Sequence, residues 1–71
     1  MSISYKKLFH LMIEQGVSNG DLMEKAQISP NIIPRMKKNG YISLETVEKI
    51  CRAMNCSVDD ILEFIDDEVE I

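Results

Sequence analysis

Apolar residues recur three or four positions apart along most of this chain, and a serine stands just ahead of nearly every such stretch. Ser18, Ser29, Ser43 and Ser57 each precede a run with helical period, where a hydroxyl can accept from an unpaired N–H of the first turn. Asp21 and Asp60 follow Ser18 and Ser57 at the spacing of a capping box. Pro30 follows Ser29, and its fixed φ and missing N–H suit the first helical position. Gly16, Gly40 and Asn55 are expected to take the left-handed conformation that ends a helix, with Lys37 and Lys38 in a last turn favoured by the helix dipole. This punctuation predicts five short helices, at about Ser4–Gln15, Asn19–Ala26, Pro30–Lys38, Leu44–Met54 and Val58–Ile65. The fourth is the most regular, with Leu44, Val47, Ile50, Cys51 and Met54 on one face and Glu45, Glu48, Lys49 and Arg52 elsewhere. The fifth repeats the pattern through Val58, Ile61, Leu62 and Ile65. No run shows the alternation of a half-buried strand, so an all-α domain is expected over 1–65, followed by an acidic, flexible tail at 66–71.

With 71 residues, 45% of them hydrophobic, the chain has the material for one small globular domain. Such a chain buries only about 60% of its extended surface, so the core is small. There is no Trp, and methionines 12, 23, 36 and 54 fall at core positions as gap-fillers. A net charge of −4 argues against a nucleic-acid partner, but the average hides a division. Residues 1–40 carry six Lys or Arg against three acids, a balance of +3, and residues 41–71 carry two against nine, a balance of −7. The first part can face a polyanion and the second cannot.

Two cysteines and one histidine, His10, give neither a disulfide framework nor a zinc site, so no metal or cofactor is expected. Cys51 and Cys56 read as small buried apolar residues, and His10 as a partly exposed structural one. No nucleophile–base pair or Gly-rich phosphate loop supports an enzyme. With no basic-then-apolar leader and no long apolar run, a cytoplasmic protein without a membrane contact is expected.

Helices two and three are separated only by Gln27, Ile28 and Ser29, and so short a connection forces a steep crossing, as in a helix-turn-helix. Ile28 is placed to fill the angle, with Leu22, Ala26, Ile33 and Met36 facing inward and Asn31, Ile32, Arg35 and Lys38 outward or sideways. The run from Asp21 to Met36 resembles the helix-turn-helix of the phage-repressor family (Cro-like, XRE type). The run from Ser43 to Leu62, ending Ser-Val-Asp-Asp-Ile-Leu, resembles that family's fourth and fifth helices, so the likeness covers roughly residues 4–65. Three positions depart from the family pattern: Met23 where a small residue is usual, Gln27 where Gly is usual, and Pro34 within helix three.

The resemblance implies a five-helix, lambda-repressor-like domain that lays helix three in the major groove. It places Pro30, Asn31, Pro34 and Arg35 at base edges. Asn31 can pair with adenine and Arg35 with guanine, while the prolines offer only apolar contact. It places Ser18, Asn19, Ser29, Lys37, Lys38, Asn39 and Tyr41 near phosphates. Taken singly, Lys37 and Lys38 are also an ordinary helix end, and Arg35 could pair with Glu45 instead. Lys6 and Lys7 are solvated or touch phosphate, and Phe64 completes the core or forms a dimer patch. The function implied is a sequence-specific transcriptional regulator, a repressor, bound as a homodimer to near-palindromic double-stranded DNA. The alternative is a protein-interaction module on the same scaffold, such as an antitoxin or a helical adaptor, with a protein partner. Met23, Gln27, Pro34 and the acidic half favour it.

Overall fold

The computed structural model describes residues 2–65, so the acidic segment expected at 66–71 lies outside the described residues. The order of elements is β1 (Ser2–Ser4), α1 (Lys6–Gln15), α2 (Asn19–Ala26), α3 (Ile32–Lys37), α4 (Leu44–Met54), a 3-10 turn at Val58–Asp60, and β2 (Glu63–Ile65). The domain is mostly helical, with four α-helices among the described residues rather than five. The expected fifth helix is replaced by the 3-10 turn and β2, which pairs antiparallel with β1 in the register Ser2–Ile65, Ile3–Phe64 and Ser4–Glu63. Three-residue strands are too short to show an alternation, and the spacing of Val58, Ile61, Leu62 and Ile65 imitates helical period. Of that group Ile61 is buried, whereas Val58 and Ile65 are exposed.

The serines act largely as their positions require. Ser18 accepts from the Asp21 N–H at 3.1 Å while its own N–H donates to the Asp21 carboxylate at 3.1 Å, closing the capping box of α2. Ser43 accepts from the Thr46 N–H at 3.1 Å at the start of α4. The Ser57 N–H donates to the Asp60 carboxylate at 3.0 Å, but only a 3-10 turn follows. Ser29 is not the cap of α3. Its hydroxyl accepts from the Asn31 N–H at 3.2 Å, and the cap position falls on Asn31. At the start of the chain Ser4 belongs to β1, and α1 opens only after Tyr5.

Left-handed residues end all four helices: Gly16 (φ 69°), Gln27 (φ 56°), Asn39 (φ 60°) and Asn55 (φ 56°). After α3 the left-handed residue is Asn39 rather than Gly40. The Asn39 N–H donates to the Met36 carbonyl at 3.0 Å and the Gly40 N–H to the Arg35 carbonyl at 2.8 Å, the pairing of a Schellman motif.

One core joins these elements. It comprises Ile3, Tyr5, Leu8, Met12, Leu22, Ala26, Ile33, Met36, Val47, Ile50, Met54 and Ile61. α2 packs on α4, and Ile28 fills the turn beside the core. Met23 packs against the core half-buried, as do Cys51 and Cys56, which are therefore less buried than expected. Leu44, expected on the inner face of α4, is 84% exposed, and Phe64 is 64% exposed, outside the core.

Candidate nucleic-acid interface

The link between α2 and α3 runs from Gln27 to Asn31, longer than expected because α3 opens at Ile32 rather than Pro30. Leu22 and Ala26 of α2 and Ile33 and Met36 of α3 are buried together, fixing the crossing of the two helices. Within α3 the inner positions thus hold it to the core, while Asn31, Pro34, Arg35, Lys37 and Lys38 remain exposed. Asn31 and Arg35 stand one turn apart. The Arg35 N–H reaches the Asn31 carbonyl at 3.4 Å, so both side chains leave the helix on one side.

Pro34 is accommodated by the late start of α3. It is the third residue of the helix, where an N–H has no intrahelical acceptor in any case. Its removal of a donor is therefore far less damaging than the roughly 3 kcal/mol expected of a proline in a helix interior. Gln27 does adopt the left-handed conformation at the turn, against a steric cost of about 1 kcal/mol. Neither departure from the family pattern breaks the motif.

The cations divide by environment. In α4, Arg52 pairs with Glu48 at 2.8 Å and Lys49 with Glu45 at 4.0 Å, both one helical turn apart. Lys7 pairs with Glu63 at 3.7 Å across to β2. Among the described residues, Arg35, Lys37 and Lys38 make no ion pair, and Glu45, the alternative partner of Arg35, is taken by Lys49. The C-terminal end of α3 thus presents unneutralised positive charge to solvent, while the acids of the second half absorb the cations of α4.

The other candidate residues surround this face unevenly. Pro30 and Ser29 lie in the turn ahead of α3, and Asn39 and Tyr41 in the segment behind it, all exposed. Ser18 and Asn19 open α2, but that helix end already carries the Asp21 carboxylate. The two hydrogen bonds from Ser18 hold the Asp21 carboxyl below its usual value of 3.8. An anion approaching there meets a fixed negative charge, unlike one approaching Lys37 and Lys38.

A support for α3 left no trace in the sequence reading. Tyr5 is fully buried, and its hydroxyl donates to the Gly40 carbonyl at 2.5 Å, tying the start of α1 to the segment that leaves α3. Burial, reinforced by nearby Tyr41, pushes the Tyr5 phenol above its usual value. No periodicity marks Tyr5, because it sits between β1 and α1 rather than within either.

Residues 7–67 match the sequence profile of the Cro/C1-type HTH DNA-binding domain. The chain belongs to this family. Among solved structures it is similar to that of the transcriptional regulator VanUg, with a TM-score of 0.86 and 32% identity over 93% of this chain and 88% of the other. No curated protein matches it by sequence. The family is one of DNA-binding domains. The polar groove between α1 and the 3-10 turn is lined by His10, Glu14, Cys56, Asp59 and Asp60. Burial, then neighbouring Cys51 and Asp60, pushes the Cys56 thiol up to about 11, so it stays protonated and is a poor nucleophile. No helix among the described residues is long and apolar enough to cross a membrane.

Proposed function

We propose that this protein is a sequence-specific transcriptional regulator, acting as a repressor in the cytoplasm by occupying a near-palindromic operator as a homodimer. The observation that carries this reading is the exposed side of α3. Asn31 and Arg35 stand one turn apart there, and no acid among the described residues neutralises Arg35, Lys37 or Lys38. α3 enters the major groove by its N-terminal end, with Asn31 on an adenine edge and Arg35 on a guanine edge. Pro30 and Pro34 make apolar contact with neighbouring bases. Lys37 and Lys38, with Ser29, Asn39, Tyr41, Ser18 and Asn19, hold the phosphates. Repression is by occupancy of the operator.

Selection of bound sequences from random duplexes tests this reading directly. The expected result is an enriched near-palindrome with adenine and guanine at the positions facing α3. Asn31→Ala and Arg35→Ala should each weaken binding by about 5- to 150-fold per half-site, through the loss of one bidentate base contact in each half. Undiminished affinity in both variants would move the reading face elsewhere. No binding to duplex DNA at low salt would favour the protein-interaction module.

A further inference from the structure

A short chain of contacts runs from the core of the domain to the side chain of Arg35. It starts at the buried Tyr5 hydroxyl, which donates to the Gly40 carbonyl from 35 positions away in sequence. The Gly40 N–H in turn donates to the Arg35 carbonyl at 2.8 Å, so both polar groups of the Gly40 backbone are held. The α-carbon between them lies against the arginine. A β-carbon built there would meet Arg35 Cγ at 2.8 Å and Cδ at 3.6 Å. The methylene stem of Arg35 therefore rests on the Gly40 backbone, and that backbone is fixed from below by a residue of the core.

We propose that Tyr5 is a positioning residue for base reading: its hydroxyl holds the backbone on which Arg35 lies, and so sets the direction in which the guanidinium leaves α3. This rests on the reading of Arg35 as the guanine contact and names the residue that aims it. A long side chain loose in water samples many rotamers, and ordering it on a base edge costs affinity. A bidentate contact tolerates little error in direction, because two N–H groups must meet two acceptors at once. A wall that removes some rotamers beforehand lowers the ordering cost, and a contact is only as precise as the residues that support it. Tyr5 is fully buried, so it acts on DNA through Gly40 and Arg35 and not by touching it. Asn31 stands at the start of α3 with its N–H on the Ser29 hydroxyl, away from this support. Guanine reading should therefore depend on Tyr5, and adenine reading should not.

Tyr5→Phe removes the hydroxyl and leaves the ring in the core. In the full chain without DNA, NMR should show faster hydrogen exchange at the Gly40 amide and greater mobility of the Arg35 Nε–H, with the amides of Leu22 and Ile50 as protected as in the wild type. On duplexes differing at one base pair, the wild type should prefer guanine opposite Arg35 by about 5- to 150-fold, and Tyr5→Phe should reduce that preference by about 5-fold or more. The preference for adenine opposite Asn31 should hold, whereas a merely structural loss would lower affinity on every duplex alike. In an Arg35→Ala background, Tyr5→Phe should change the base preference no further. Gly40→Ala keeps Tyr5 and presses on the same Arg35 stem, so it should reproduce the selective loss whether or not Tyr5→Phe folds. An unchanged Arg35 Nε–H in Tyr5→Phe, or an undiminished guanine preference in Tyr5→Phe or Gly40→Ala, or equal losses at both bases, would overturn the proposal. Arg35→Ala with the guanine preference intact would overturn the base-reading assignment and the proposal with it. That variant alone reports the assignment, so the two failures are told apart.

Discussion

A β-carbon at Gly40 would lie 2.8 Å from Cγ of Arg35 and 3.2 Å from the Arg35 carbonyl oxygen. The backbone passes that close because the Gly40 N–H closes the helix end on the same carbonyl. Gly40→Ala must therefore push Arg35 aside or open the cap, with a stability loss of about 1–3 kcal/mol from overpacking. It should also weaken operator binding, because the displaced side chain is the proposed guanine reader. Gly20→Ala is the control. A β-carbon there meets only Ser18 Oγ at 3.9 Å, within a helix, so the variant should gain about 0.5–1 kcal/mol. Thermal melts of both, with Gly40→Ala less stable and Gly20→Ala more stable than the wild type, check the pair. Gly40 was legible in the sequence as a stop, but for another reason: Asn39 takes the left-handed turn, and Gly40 supplies the close approach. Tyr5 was not legible at all, since its burial depends on a carbonyl 35 positions away.

Elements were readable where local chemistry decides them. α2 and α4 begin and end where the serines, Ala26 and Met54 place them, because caps act within three or four residues. α3 was misplaced by two residues, since Ser29 has the chemistry of a cap but spends its hydroxyl on Asn31. β2 was unreadable because its partner is β1, at the other end of the described chain, and only that pairing separates a strand from a weak helix. The capping box of α2 gives a test by pH. Its hydrogen bonds lower the Asp21 pKa on folding, so the native state favours the charged carboxylate. The resulting stability is present above the unfolded value of about 3.8 and fades as pH falls through the folded one. Asp21→Ala should thus melt below the wild type at pH 7, and the gap should narrow as pH falls through the lowered folded value. A gap that persists unchanged there would show that the carboxylate charge plays no part in the cap.

Across the whole molecule, the sign of the average charge misleads about its partner. The acids that make the total −4 lie mostly after residue 40, and two of them neutralise the cations of α4. The three cations of α3 and its end keep their charge. With Arg35 on a base edge, Lys37 and Lys38 of each half-site face phosphates, four positive groups in a pair. Counterion release then gives a slope of log affinity against log salt of about −3.5. Replacing Lys37 and Lys38 by Gln removes those four groups and should flatten most of the slope while keeping the preferred sequence. Replacing Lys49 and Arg52 by Gln removes as many positive charges, but each is already matched by a glutamate on its own helix, so the slope should hold. Equal flattening in both variants would mean that DNA responds to total charge rather than to the face of α3.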